Sequence, residues 1–103
     1  MRYLLPQVSL RDRNANKNQT VVSIHPHAQA RLIERGATLE EVTATVETGS
    51  VSPAKFDRTR FRRSFPFNAK WREKTYATKQ VEVIAVETEP GNWLAITVIV
   101  EFF

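Results

Sequence analysis

Hydrophobic and polar positions along the chain follow two patterns, and the change occurs near Pro53. Before it, stretches 26–35 and 39–48 consist mainly of helix-forming residues. Each is followed by a glycine, Gly36 or Gly49, the residue type at which helices commonly end. After Pro53, apolar residues alternate with polar ones or run together, as is typical of strands. The pattern predicts an α+β fold, with two short helices followed by an antiparallel sheet.

Local signals define where the two helices begin. Pro26 suits the first helical turn, because its φ is already helical and its missing N–H is not needed there. Thr38 and Glu41 have the spacing of a capping box, in which each side chain bonds the backbone of the other residue. The apolar face of the second helix is predicted to contain Leu39, Val42 and Val46. A β-branched run at residues 20–24 predicts a short strand before the first helix.

The second half of the chain predicts the sheet. From residue 58 onward, Arg58, Arg60 and Arg62 alternate with other residues, so this strand should have one cationic face and one partly aromatic face. Residues 74–78 predict a middle strand and residues 81–87 a strong one. A turn at residues 89–92 with Pro and Gly in favourable places leads into a nearly continuous apolar strand at 93–102.

Length and composition indicate one domain. The chain has 103 residues, 42% hydrophobic and 25% charged, which is ordinary for a globular protein. We predict that residues 1–19 are a polar arm or loop and that residues 20–103 form the α+β domain. No apolar run approaches the length of a signal-peptide core or a membrane span, so we expect a cytoplasmic protein with no membrane partner.

Positive charge is concentrated in one part of the chain. The net charge is +4, yet the segment from Lys55 to Lys74 holds eight basic residues against two acids, Asp57 and Glu73. A local patch of this kind attracts a phosphate backbone more effectively than the same charge spread over the surface. The distribution favours RNA as a partner.

The first helix carries the most informative short motif. His27, Arg31 and Arg35 are four residues apart, so they form a row along one helix edge. Like charges in a row repel, which favours an anion beside them. The alternative is an ordinary solvated edge, with Glu34 and Glu41 neutralising the arginines.

A metal site is not expected. His25 and His27 form a His-x-His pair, but they are the only histidines and there is no cysteine, so a metal would need further carboxylate or water ligands. Pro26 between the two histidines also disfavours their convergence on one ion.

The arginine-rich strand is a candidate RNA-binding element. Its cations, Arg58, Arg60, Arg62 and Arg63, have aromatic residues nearby, and single-stranded RNA grooves combine such charges with stacking rings. The alternative places those rings in the core. Three more candidates come from the later strands: Tyr76, Lys79 and Thr97.

The motif from Ser23 to Gly36, with His27, Arg31 and Arg35, continues with Glu41-Val42 and Gly49. It resembles the family catalogued as domain of unknown function 4258, and the resemblance extends over residues 20–102. That family is thought to belong with RelE-type toxins and barnase-like and colicin-like ribonucleases, which pair N-terminal helices with a four-stranded antiparallel sheet. The resemblance implies metal-independent, cofactor-free RNA cleavage and an antitoxin or immunity protein as partner.

These observations combine into a ribonuclease hypothesis. His27 would act as general acid or base, Arg31 with Lys79 or Arg62 would neutralise the phosphorane oxygens, and Thr97 or Tyr76 would position the phosphate. RNA binding would use Arg35, Arg58, Arg60, Arg62, Arg63 and Tyr76. The hypothesis requires helix and sheet cations to share one cleft. Two alternatives stay open: a non-enzymatic module that binds nucleic acid or a partner through its basic face, and a degenerate toxin fold acting as a regulator.

Overall fold

The structure, a computed structural model, describes residues 20–103, so the arm or loop predicted for residues 1–19 lies outside it. The elements in chain order are β1 (Val21–Ile24), α1 (Pro26–Arg35), α2 (Leu39–Thr48), β2 (Ser50–Ala54), β3 (Arg58–Trp71), β4 (Lys74–Glu89) and β5 (Asn92–Phe102). Neither helix of this part of the chain is long and apolar enough to cross a membrane.

The strands form one five-stranded mixed sheet in the order β1-β5-β4-β3-β2. β1 runs parallel to β5, and all other neighbouring pairs are antiparallel. The predicted arrangement, two N-terminal helices on a four-stranded antiparallel sheet, is therefore wrong. Both helices lie in the crossover between β1 and β2, and a strand precedes them.

The error in the strand count has three physical causes. Residues 74–78 and 81–87, predicted as two strands, belong to the single 16-residue strand β4. β2 was not predicted because it contains Pro53 and two serines. As an edge strand with four of its five residues exposed, it tolerates them. The predicted strand at residues 20–24 exists as β1, but nothing in its local sequence identifies β5 as its parallel partner.

The predicted first and last residues of both helices are confirmed. α1 ends at Gly36 in the left-handed conformation (φ 78°), and α2 begins at the Thr38–Glu41 capping box with both reciprocal hydrogen bonds formed. Val42 and Val46 are buried as predicted, whereas Leu39 is 53% exposed. Thr45 takes the buried position instead, because its hydroxyl donates to the Glu41 carbonyl at 2.7 Å and so remains bonded in the core.

The two faces of the sheet have different environments. The helix face carries the core, with Phe61, Val81, Val83, Ala85 and Val98 packed beneath residues of α1 and α2. The other face, which we name the open face, includes Arg60, Arg62, Glu82, Ile84, Thr97 and Ile99. The predicted cationic and aromatic faces of β3 are confirmed, since Phe61 is buried and the arginines beside it lie on the open face.

A β-bulge interrupts the pairing of β4 with β5. Ala85 pairs with Ala95, but the preceding residue, Ile84, pairs with Thr97, so Ile96 is an extra residue on β5. Such a bulge bends the strand and shifts the alternation of side chains between the two faces. Before it, Trp93 and Ala95 face the core, and after it the core positions are Val98 and Val100.

Gly36 links α1 to α2 and lies against the sheet, where a side chain would be tightly crowded. A Cβ there would lie 3.0 Å from both the Phe102 and the Trp71 rings, and these rings are stacked with centroids 5.2 Å apart. The backbone also has φ 78°, which L-residues with side chains rarely adopt.

We therefore expect Gly36→Ala to lower the free energy of unfolding by about 2–4 kcal/mol, combining backbone strain with overpacking. Urea denaturation would measure the change. A double-mutant cycle with Trp71→Leu separates the two causes, because removing the ring should reduce the cost of the alanine. An equal cost in both backgrounds would show that Trp71 does not restrict this position.

Candidate functional site

The end of β1 determines where α1 begins. β1 pairs with β5 from Val21 opposite Asn92 to Ile24 opposite Ala95. The His25 N–H extends this pairing by donating to the Ala95 carbonyl at 2.9 Å. Because the helix starts at the next residue, its first turns lie beside the part of β5 that follows Ala95 and has no β1 partner.

His25 caps α1 and orders the turn that carries His27. Its Nδ1 accepts a hydrogen bond from the His27 backbone N–H at 3.1 Å, and Pro26 occupies the first helical position. The His25 side chain thus has the N-capping role that an Asn or Ser side chain usually has. From Thr20 onward, no three His, Cys, Asp or Glu side chains are grouped so that they could hold a metal ion.

A cleft of about 180 Å³ lies between α1 and β5. Its lining contains the predicted helix row together with Thr97: His27, Ala28, Arg31, Arg35, Ile96, Thr97 and Val98. The volume is several times the roughly 30 Å³ that one water molecule occupies, so the cleft has room for a phosphate group. The structure thus brings four of the ten predicted site residues together.

The charge of this cleft is positive. One Arg35 nitrogen donates to the Val98 carbonyl at 2.5 Å, which holds the guanidinium against the edge of β5. Among residues 20–103, no carboxylate lies within ion-pair distance of Arg31 or Arg35. The predicted alternative, neutralisation by Glu34 and Glu41, is not formed there, because Glu41 is paired with Lys79.

Thr97 reaches the cleft because of the β-bulge. Regular alternation along β5 would place it on the same face as Trp93 and Ala95. With Ile96 as the extra residue, Thr97 instead pairs with Ile84 on the open face and also lines the cleft. The cleft therefore lies at the rim of the open face.

Lys79 lies outside the cleft, and its ammonium is fully engaged. It is 6% exposed and donates to the Gly36 carbonyl at 2.7 Å and to both Glu41 carboxylate oxygens at 3.0 and 3.1 Å. The rings of Phe67 and Phe102 lie within 6 Å of it. Lys79 therefore links the loop between the two helices, and the start of α2, to the sheet. We do not include it among the proposed catalytic residues.

The predicted arginines of β3 also lie outside the cleft, two strands away from it. Arg60 and Arg62 both bind Glu82, at 3.1 and 2.9 Å. Arg63 lies on the helix face, where it donates to the Thr48 hydroxyl at 2.9 Å and stacks on the Phe65 ring. The single cleft shared by helix and sheet cations, which the sequence-based mechanism required, is not formed.

Arg58 and Tyr76, two further predicted RNA-binding residues, are not part of the cleft lining either. Arg58, at the start of β3, has its guanidinium 5.9 Å from the exposed Phe56 ring. Tyr76 packs against Phe102, and it is six residues from Glu82 along β4, a distance of about 20 Å. Apart from Phe56, the aromatic rings near the β3 arginines lie in and around the core. Phe61, for example, makes an edge contact with Trp93.

Part of the cleft was not predicted from the sequence. Its β5 wall is formed by Ile96 and Val98 on either side of Thr97, and the Val98 carbonyl binds Arg35. These contributions depend on a parallel strand pair and on a bulge that contains no glycine, and neither has a local sequence signal.

Comparisons with models of known protein families, with curated proteins and with solved structures found no match to this chain. The resemblance to domain of unknown function 4258 therefore stays a prediction that depends on the motif residues alone.

The contacts of Lys79 predict a structural effect. Lys79→Met removes the ammonium and leaves the Glu41 carboxylate, whose side chain is only 21% exposed, without its cation. We expect the free energy of unfolding to fall by about 2–4 kcal/mol, measured by urea denaturation. Lys70→Met, which removes an exposed lysine on β3, should change it by less than about 0.5 kcal/mol. Unchanged stability of Lys79→Met, accompanied by a loss of RNA cleavage, would instead return Lys79 to the catalytic set.

Proposed function

We propose that this protein is a metal-independent endoribonuclease that acts on RNA in the cytoplasm through the cleft between α1 and β5. The observation that supports this most strongly is the cleft lining itself, which includes one histidine, two arginines and a threonine. The proposal needs fewer groups than the sequence-based mechanism, because neither Lys79 nor the β3 arginines take part in the chemistry.

The cations of the cleft suit a phosphodiester. A guanidinium presents five N–H donors in a planar fork that matches phosphate oxygens, and Arg31 is exposed at the mouth of the cleft. One N–H group of Arg35 donates to the Val98 carbonyl, which holds the guanidinium in place. Its other N–H groups remain available to bind an oxyanion. In the cleavage step both would stabilise the charge that develops on the phosphorane oxygens.

His27 is the proton-transfer group in this proposal. Its imidazole takes the proton of a 2′-hydroxyl while the 2′-oxygen attacks phosphorus, forming the O2′–P bond and breaking the P–O5′ bond. Water protonates the departing 5′-oxygen, and the imidazolium returns its proton to the hydroxide left behind. The products are a 2′,3′-cyclic phosphate and a 5′-hydroxyl, and Thr97 would donate a hydrogen bond to a non-bridging oxygen.

A second candidate function is RNA binding without cleavage. The observation that favours it is that, among residues 20–103, the cleft lining contains one imidazole and no carboxylate, so a single side chain would serve for proton transfer. Many ribonucleases use two such groups, one as the base and one as the acid. In either case, an antitoxin or immunity protein that covers the cleft is the protein partner that the family resemblance implies.

Cleavage of a mixed-sequence RNA in EDTA tests the proposal. We expect wild type to release fragments ending in 2′,3′-cyclic phosphate, identified by mass spectrometry, and His27→Ala to cut at least about 100-fold more slowly. RNA binding by His27→Ala, measured by fluorescence anisotropy, should be retained, because the arginines remain.

His25→Asn is the matched control, because it removes the neighbouring imidazole and keeps a residue able to cap the helix. It should cut RNA at nearly the wild-type rate. Binding without any cleavage by wild type would favour the second candidate, equal cleavage by wild type and His27→Ala would remove His27 from the chemistry, and the absence of both binding and cleavage would contradict both functions.

A further inference from the structure

We infer that the substrate is single-stranded RNA and that its path leaves the cleft across the open face of the sheet, with a second phosphate held by Arg60 and Arg62. This inference rests on the proposed function and adds the substrate class and a second binding position to it. Its starting point is the strand register, which connects two groups of cations that the sequence separates by more than twenty residues.

The register places Thr97, which lines the cleft, in one row with Arg60 on the open face. Thr97 pairs with Ile84, and Ile84 pairs with Arg60, so these three residues lie side by side across β5, β4 and β3. The next row is Ile99, Glu82 and Arg62. Adjacent strands are about 4.8 Å apart, so the backbones of Thr97 and Arg60 are about 10 Å apart, a distance that a few nucleotides span.

No helix of the described chain covers this path. α1 and α2 pack on the core residues of the helix face, and the row from the cleft to Arg60 passes over Ile84. An apolar side chain there offers contact to a base without repelling a phosphate. Phe61, Phe65 and Trp93 lie in or against the core on the other face, so base recognition in this segment would depend on apolar contact and hydrogen bonds, with little ring stacking.

Glu82 positions the two arginines and does not cancel them. It accepts from Arg60 Nε at 3.1 Å and from Arg62 Nε and Nη2 at 3.2 and 2.9 Å. Each guanidinium keeps further N–H groups, and the side chains are 36% and 50% exposed. Arg60, Arg62 and Glu82 together carry a net positive charge. The other acid of this face among residues 20–103, Glu101, pairs with Gln80 one row further from the cleft and lines a surface pocket with Arg62 and Glu82, so the second phosphate is expected on the Arg60 side of this group.

Single-stranded RNA fits this arrangement better than a duplex. A flexible strand can enter the cleft with one phosphate and lie across the sheet to the next cation, because its backbone adapts to the protein surface. An A-form duplex is rigid, and its phosphates cannot reach both the recessed cleft and the flat face beside it. The path therefore predicts a preference for single strands and a dependence on their length.

The test measures binding of 2′-O-methyl oligoribonucleotides, which cannot be cut because the attacking hydroxyl is blocked. Fluorescence anisotropy would compare a dinucleotide, an octanucleotide and an octanucleotide duplex. We expect wild type to bind the single-stranded octamer about tenfold or more tightly than the dinucleotide and the duplex. Arg60→Gln/Arg62→Gln should lose most of this length advantage, and the slope of log affinity against log salt should fall by about 0.7, the value for one phosphate contact to a single strand.

The control Arg63→Gln/Lys70→Gln removes the same charge from positions outside the path and should keep the length advantage. Arg60→Lys/Arg62→Lys keeps the cations if the glutamine variant proves unstable, and it should keep most of the salt slope. Equal octamer affinities of Arg60→Gln/Arg62→Gln and the control would overturn the path and leave the cleft proposal standing. Failure of wild type to bind any of the RNAs would overturn both.

Discussion

The parallel pairing of β1 with β5 is the constraint on which the rest of the structure depends. It ends at Ala95, where the His25 N–H binds the last carbonyl of the ladder, and α1 starts at the next residue. The helix therefore runs beside the unpaired continuation of β5, and its cationic row faces that strand. A bulge at Ile96 then brings Thr97 to the rim of the open face. Two backbone features thus create the cleft that the side chains line.

Two groups of basic residues have different roles in the fold. One group is engaged in structural contacts: Lys79 binds Glu41 and the Gly36 carbonyl, Arg72 binds the Glu34 carbonyl, and Arg63 binds Thr48. The other group, Arg31 and Arg35 with His27, lies in a cleft to which no residue from 20 to 103 brings a carboxylate. Keeping like charges together on one helix edge costs a few tenths of a kcal/mol per pair, and an anion would relieve that cost.

Local signals predicted the helices and the cationic row correctly, because capping, glycine stops and four-residue spacing depend only on nearby residues. The number and pairing of the strands depend on distant parts of the chain, so β1 was recognised as a strand without its partner, and β2 with Pro53 was missed. Lys79 was predicted to be a catalytic cation, because Glu41 and the aromatic rings that surround it come from other elements and have no local signal near residue 79. The face of Thr97 could not be predicted, because the bulge at Ile96 has no sequence signal.

The most direct measurement of the central claim is an NMR titration of the isotope-labelled protein with a 3′-nucleoside monophosphate. If the β1–β5 pairing builds one phosphate site, the side-chain signals of His27, Arg31 and Arg35 and the amide of Thr97 should shift together with a single dissociation constant. Signals of Tyr76 and Lys79 should stay in place. Shifts centred on Tyr76 and Lys79, or no shift in the His27 and Arg31 signals, would contradict the account.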